Sequence, residues 1–110
     1  MSDPSGVIAA RLAELWRQTL PITLERVAAL QAACEALGRN PADPRARSAG
    51  REAAHKLSGS LGIFGLPRGT ELAAKLEEIL KSTDPLSRQA TMAMGGLIED
   101  LEAVIASKQM

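Results

Sequence analysis

The residues that could do chemistry sit together in one run, Ala53-Ala54-His55-Lys56-Leu57-Ser58-Gly59-Ser60-Leu61-Gly62-Ile63-Phe64-Gly65. His55 is the only histidine of the 110-residue chain. An imidazole is a nucleophile near neutral pH, because a useful fraction is unprotonated there. The same run puts Gly59 and Gly62 inside what otherwise reads as a long helix. Each helix-interior glycine costs about 1 kcal/mol relative to alanine. The pair therefore costs roughly 2 kcal/mol out of the ~5–15 kcal/mol that holds a domain together. A local rule broken beside a lone histidine marks the place where a functional site is expected.

Other chemistries fit less well. One histidine and one cysteine, Cys34, do not make a closed zinc site without clustered carboxylates, so no metal site is expected. A Ser-His-Asp triad needs an oriented base in a pocket, whereas His55 is expected in solvent. No G-x-x-x-x-G-K-[ST] loop is present to hold ATP. Acidic and basic residues balance at 13 each, giving zero net charge. That argues against a nucleic-acid or acidic-membrane binder, which would show a basic excess. One Trp, one Phe and no Tyr give no stacking platform for single strands.

Five helical segments must position the histidine. The first spans 6–18, with Val7, Ile8, Leu12, Leu15 and Trp16 at helical spacing. Pro21 marks a boundary. The second spans 21–37, with an apolar stripe Leu20, Leu24, Val27, Leu30, Cys34 and Leu37. The third opens at Asp43-Pro44, a cap followed by a helix-starting proline, and runs to Phe64. The fourth follows Leu66-Pro67, and the fifth is expected to run from Pro85 to Ser107. Gly95-Gly96 in the fifth is expected to let a neighbouring helix approach closely. No strand pattern occurs. The fold class is all-α: an up-down-up-down antiparallel four-helix bundle, with the short N-terminal helix lying across one end.

At about 100° per residue, His55 lies about 140° from the centre of the third segment's stripe Ala54, Leu57, Leu61 and Phe64. Gly59 lies about 180° from it, with Arg51 and Gly62 on the same outer side and Ser58 at the flank. His55 should therefore stand in solvent, one turn from a residue with no side chain. Cys34 reads as a small core residue. The chain is expected to form one domain over 1–110, with a core of about 6–107. A lone cysteine, no signal peptide and no membrane span suggest a cytoplasmic setting.

The run from His55 resembles the histidine-containing phosphotransfer (Hpt) domain. That family's pattern is His-x-Leu-Lys-Gly-Ser, then Gly five positions on, then a Leu-Glu pair on the next helix. His55, Leu57, Gly59, Ser60, Gly65, Leu76 and Glu77 match it. The motif covers about a fifth of the chain, and the helical layout fits the family's bundle over nearly all of it. One position departs: Ser58 stands where the family commonly has a lysine near the phosphoryl group.

The resemblance implies a phosphocarrier in a multistep His–Asp phosphorelay. His55 would take a phosphoryl group from a receiver-domain Asp and pass it to another receiver. No kinase part is present, and no cofactor is expected on this chain; Mg²⁺ is expected on the receiver. The partners implied are response-regulator receivers, a hybrid histidine kinase, or both, and a monomer is expected. Ser58, Gly59, Gly62 and Glu77 would form the phosphate environment and the clearance for the partner. Arg51, Lys56 and Lys81 are candidates for receiver docking, and Lys81 also for the missing positive charge. Glu77 either accepts a hydrogen bond from the second ring nitrogen or is a solvated helix residue. The alternative readings are an interaction module of the same fold that binds a receiver or kinase without carrying phosphate, and a plain helical scaffold.

Overall fold

The computed structural model describes residues 4–108. Four helices follow in order: α1 (Pro4–Arg39), α2 (Pro44–Leu61), α3 (Pro67–Lys81) and α4 (Arg88–Lys108), with a 3₁₀ turn (Gly62–Phe64) between α2 and α3. Short connections make chain neighbours antiparallel neighbours, and α1 and α4 close the bundle against each other. Each helix contributes one leucine-rich stripe. Leu30 and Leu37, Leu57 and Leu61, Leu72, Leu76 and Leu80, and Met94, Leu101 and Ile105 are all buried in one cluster. Burying each such side chain is worth about 1.5–3 kcal/mol.

The N-terminal helix expected to lie across one end does not form as a separate element. Its residues are the first turns of α1, which is continuous for 36 residues with Pro21 inside it. An interior proline removes one backbone bond and costs about 3 kcal/mol. Anchors on both sides of it offset this. Trp16 packs on Phe64 with ring centroids 5.3 Å apart, under the Lys108 ammonium 5.7 Å away. On the other side Thr23 is buried, and its hydroxyl donates to the Thr19 carbonyl at 3.2 Å. The core line of α1 is accordingly Trp16, Thr23, Val27 and Leu30, and Leu24, expected on the stripe, is exposed. Val7, Ile8, Leu12 and Leu15 are exposed as well.

Two further expectations are corrected. The last helix begins at Arg88 rather than Pro85. Leu86 is buried and its amide donates to the Pro41 carbonyl at 3.1 Å, which holds that stretch out of helix. Ser87 then supplies the cap, its Oγ accepting from the Ala90 amide at 3.0 Å. The guanidinium of Arg47 donates to the carbonyls of Pro41 and Asp84 and ties the two loops together. Gly95 and Gly96 admit no neighbour, since a Cβ on either would meet nothing within 4 Å. They lie off the buried line Met94, Ile98, Leu101, Ile105.

The close approaches are at Gly50 and Gly69. A Cβ on Gly50 would lie 2.9 Å from Ala33 Cβ and 3.1 Å from Leu80 Cδ1. One on Gly69 would lie 2.9 Å from Leu61 Cδ1. Gly50→Ala is thus expected to lower unfolding free energy in urea by about 1–3 kcal/mol through overpacking. Gly59→Ala, where a Cβ meets open space, should instead raise it by up to about 1 kcal/mol. Equal effects of the two changes would contradict this packing.

Candidate functional site

Helix α2 begins as its sequence suggests. The Asp43 carboxylate accepts from the amides of Arg45 and Ala46 at 3.0 and 3.1 Å, with Pro44 in the first turn. Ala53, Ala54 and Leu57 face the core. His55 is therefore turned outward, with 73% of its side chain exposed. Helix α2 tightens into the 3₁₀ turn and stops at Gly65, whose φ of 76° is left-handed. The Leu66 amide donates to the Leu61 carbonyl at 3.0 Å and the Gly65 amide to that of Gly62 at 3.1 Å. This is the paired helix-ending bond pattern that glycine favours. It returns the chain as α3, antiparallel and in close contact.

That return brings Glu77 to His55. Its Oε2 lies 3.0 Å from His55 Nδ1. The Glu77 side chain is only 17% exposed, set in the seam between α2 and α3. A carboxylate can only accept, so Nδ1 carries the proton and donates. In the neutral ring the lone pair is then on Nε2, the nitrogen directed away from the seam. The geometry thus gives an exposed ring with Nδ1 engaged by the carboxylate.

The neighbours divide into three groups. On the C-terminal side, the Ser58 hydroxyl donates to the His55 carbonyl at 3.2 Å and is engaged with its own helix. Gly59 is exposed, and a Cβ there would meet nothing. Gly62 is exposed too, but its Cβ would come 3.2 Å from Thr70 Oγ1 of α3, so that position also has a packing constraint inside the molecule. On the flank, Lys56 pairs with Glu52 at 2.9 Å. That hydrogen bond, then the ammonium charge, hold the Glu52 carboxyl below the usual range. On the N-terminal side, Ser48, Arg51 and Glu52 join His55 and Glu77 around an open depression of about 400 Å³. Lys81 pairs with Glu78 at 3.6 Å and lines the adjacent depression, which it shares with Arg51.

So His55, Glu77 and Arg51 come together, Ser58 and Gly59 form the next turn, and Lys56 and Lys81 are drawn aside by carboxylates. Ser48 was not singled out from the sequence. Its signal was there, since it lies seven residues before His55 on one helix face. The chain's other nucleophile, Cys34, is half-buried with Sγ 3.6 Å from the Thr91 carbonyl. Burial first, and the Glu35 charge second, push its thiol above the ordinary value.

Comparison with known proteins gives a family match over most of the chain. The Hpt domain family model matches residues 11–107. Protein RcaC of Microchaete diplosiphon is 32% identical over 101 residues, covering 92% of this chain and 16% of that protein. The chain therefore corresponds to a small part of that relative's length. No solved structure gives a significant match.

Two outcomes are expected. Removing the acceptor with Glu77→Ala should shift neutral His55 from the Nδ1–H toward the Nε2–H tautomer, read from the ring ¹⁵N shifts; an unchanged ratio would mean the carboxylate does not set it. The raised Cys34 pKa means less thiolate than a free cysteine at any pH below it. Alkylation near pH 8 should run slower than for a model thiol and approach it only as pH rises.

Proposed function

The chain belongs to the Hpt domain family, and from that premise we propose that it is a histidine phosphocarrier of a multistep phosphorelay, carrying the phosphoryl group on His55. The observation that carries the proposal is the His55–Glu77 contact of 3.0 Å on a side chain that is otherwise 73% exposed; with Nδ1 donating to the carboxylate, the lone pair of the neutral ring is on Nε2. In the transfer, the Nε2 lone pair attacks the phosphorus of an aspartyl phosphate on a receiver domain. The N–P bond forms as the P–O bond to the aspartate breaks, and that electron pair stays on the released carboxylate. No proton has to leave: Nδ1 keeps its hydrogen, and the ring becomes cationic beside the Glu77 carboxylate. The reverse step delivers the group to a second receiver.

Phosphoryl transfer of this kind is mostly positioning and charge neutralisation. The receiver would bring the aspartate and its Mg²⁺, and this chain an oriented ring. No step needs ATP here, so the chain acts as an intermediate and not as a kinase. Gly59 gives the receiver room. Its glycine has no reason inside the molecule, because a Cβ there meets nothing, yet it weakens the helix by about 1 kcal/mol. A partner face pressed onto this turn supplies the reason. The partner we take to be a receiver or a hybrid kinase, as the family implies. We place this work in the cytoplasm, with the chain acting as a single monomeric domain.

Incubation with a phosphorylated receiver is expected to put acid-labile, base-stable phosphate on this chain, and none on His55→Ala. Receiver binding without transfer would mark a regulator of the same fold instead. Gly59→Gln should cut transfer by about a hundredfold, the scale of loss when reacting groups are misplaced by an ångström, while thermal stability holds or rises. A normal rate in that variant would remove the clearance argument.

A further inference from the structure

We infer that Arg51 holds the phosphoryl group once it is on His55, so that the depression in front of the ring is a phosphate subsite. This rests on the phosphocarrier reading and names the residue that stabilises its loaded state. A phosphoryl group on Nε2 adds up to two negative charges beside Glu77 and Glu52; the cationic ring balances one, and a further cation stabilises the loaded state. Of the basic side chains around this face, Arg51 lines the depression that holds His55, Arg26 and Lys56 line a neighbouring one beside Glu52, and Arg47 and Lys81 line another. Lys56 is paired with Glu52 at 2.9 Å and Lys81 with Glu78 at 3.6 Å. Arg47 is occupied by the carbonyls of Pro41 and Asp84. Arg51 is exposed, lines the same depression as His55 and Glu77, and has no carboxylate partner within 4.0 Å among the described residues.

Helix geometry favours the same side. Arg51 is four residues before His55, which puts it about 40° away around the helix axis. Side chains on a helix lean toward its N-terminus and cover the preceding turn. The His55 ring therefore leans toward the turn that bears Arg51, and the two side chains line one depression. Ser58 would also need to break its bond to the His55 carbonyl before it could turn to a phosphate. Lys56 contributes indirectly, by neutralising Glu52 at the rim. A guanidinium offers a planar fork of donors that suits phosphate oxygens and never loses its charge at working pH. The subsite would leave the Gly59 side open for the partner.

Potassium phosphoramidate, a small donor that needs no docking surface, can load His55 in the intact chain, with ³¹P NMR as the readout. If neither phosphoramidate nor a phosphorylated receiver forms a phosphohistidine at His55 in the wild-type chain, the phosphocarrier reading itself falls. If it forms, Arg51→Gln is expected to raise the protonation midpoint of the bound phosphoryl group by about half a unit, roughly a threefold change in proton affinity. It should also shift the transfer equilibrium toward the receiver by about threefold. Arg51→Lys should keep most of both, since the charge remains. A midpoint and an equilibrium in Arg51→Gln that match wild type would overturn the inference. So would a variant that only slows transfer from the receiver, since that would make Arg51 a docking residue alone.

Discussion

The site depends on one contact across the α2–α3 seam, the 3.0 Å hydrogen bond between His55 Nδ1 and Glu77 Oε2. It sets which ring nitrogen is free, which way that nitrogen points, and where positive charge is compensated when the ring becomes cationic. A single hydrogen bond of this kind adds little to net stability, about 0.5–1.5 kcal/mol. Its importance is in positioning. It exists only if two helices keep their register to within an ångström, and that register is supplied by the core. Leu57, Leu61, Leu72, Leu76 and Leu80 are buried between α2 and its neighbours. Gly69 lets α3 sit against Leu61, and the left-handed Gly65 turns the chain directly from one helix into the other.

The glycines separate structural from functional demands. Gly50 and Gly69 are filled from the other side by Ala33, Leu80 and Leu61, so a methyl group at either would collide with its own fold. Gly65 is held by its φ of 76°. Gly59 meets neither condition, and it lies one turn from an exposed nucleophile. Gly95 and Gly96 have open space too, so it is the place of Gly59 beside His55 that ties its open space to something arriving from outside. The same contrast runs through the charges. Lys56, Lys81 and Arg47 are occupied by their own neighbours, which leaves Arg51 facing the depression beside the ring.

Much of this was legible in the sequence because it is local. The Asp43-Pro44 start, the outward azimuth of His55 and the stripe Leu57, Leu61 follow from capping and the 3.6-residue period. The all-α bundle followed from the same stripes, and the matching family model spans nearly the whole of it. What could not be read depends on contacts distant in sequence. Pro21 looked like a boundary, but anchors on both sides of it, Trp16 seated on Phe64 and the buried Thr23, keep α1 continuous through it. Asp84-Pro85 repeated the start signal of α2, but burial of Leu86 delays the helix to Arg88. Glu77 was open between two roles until the seam brought it to the ring. The bond of Ser58 to the His55 carbonyl is local, but a mid-helix serine can turn either to its own backbone or outward, and its type alone does not decide which.

The central claim, that Glu77 fixes the tautomer so that Nε2 is the reactive atom, has a direct test in the regiochemistry of the phosphorylated protein. Long-range ¹H–¹⁵N and ¹H–³¹P correlation on the ring of phosphorylated His55 distinguishes the two nitrogens. The account predicts phosphorus on Nε2, with Nδ1 still protonated and hydrogen-bonded to Glu77. Phosphorus on Nδ1 would mean the seam contact opens before the chemistry, and would contradict the account.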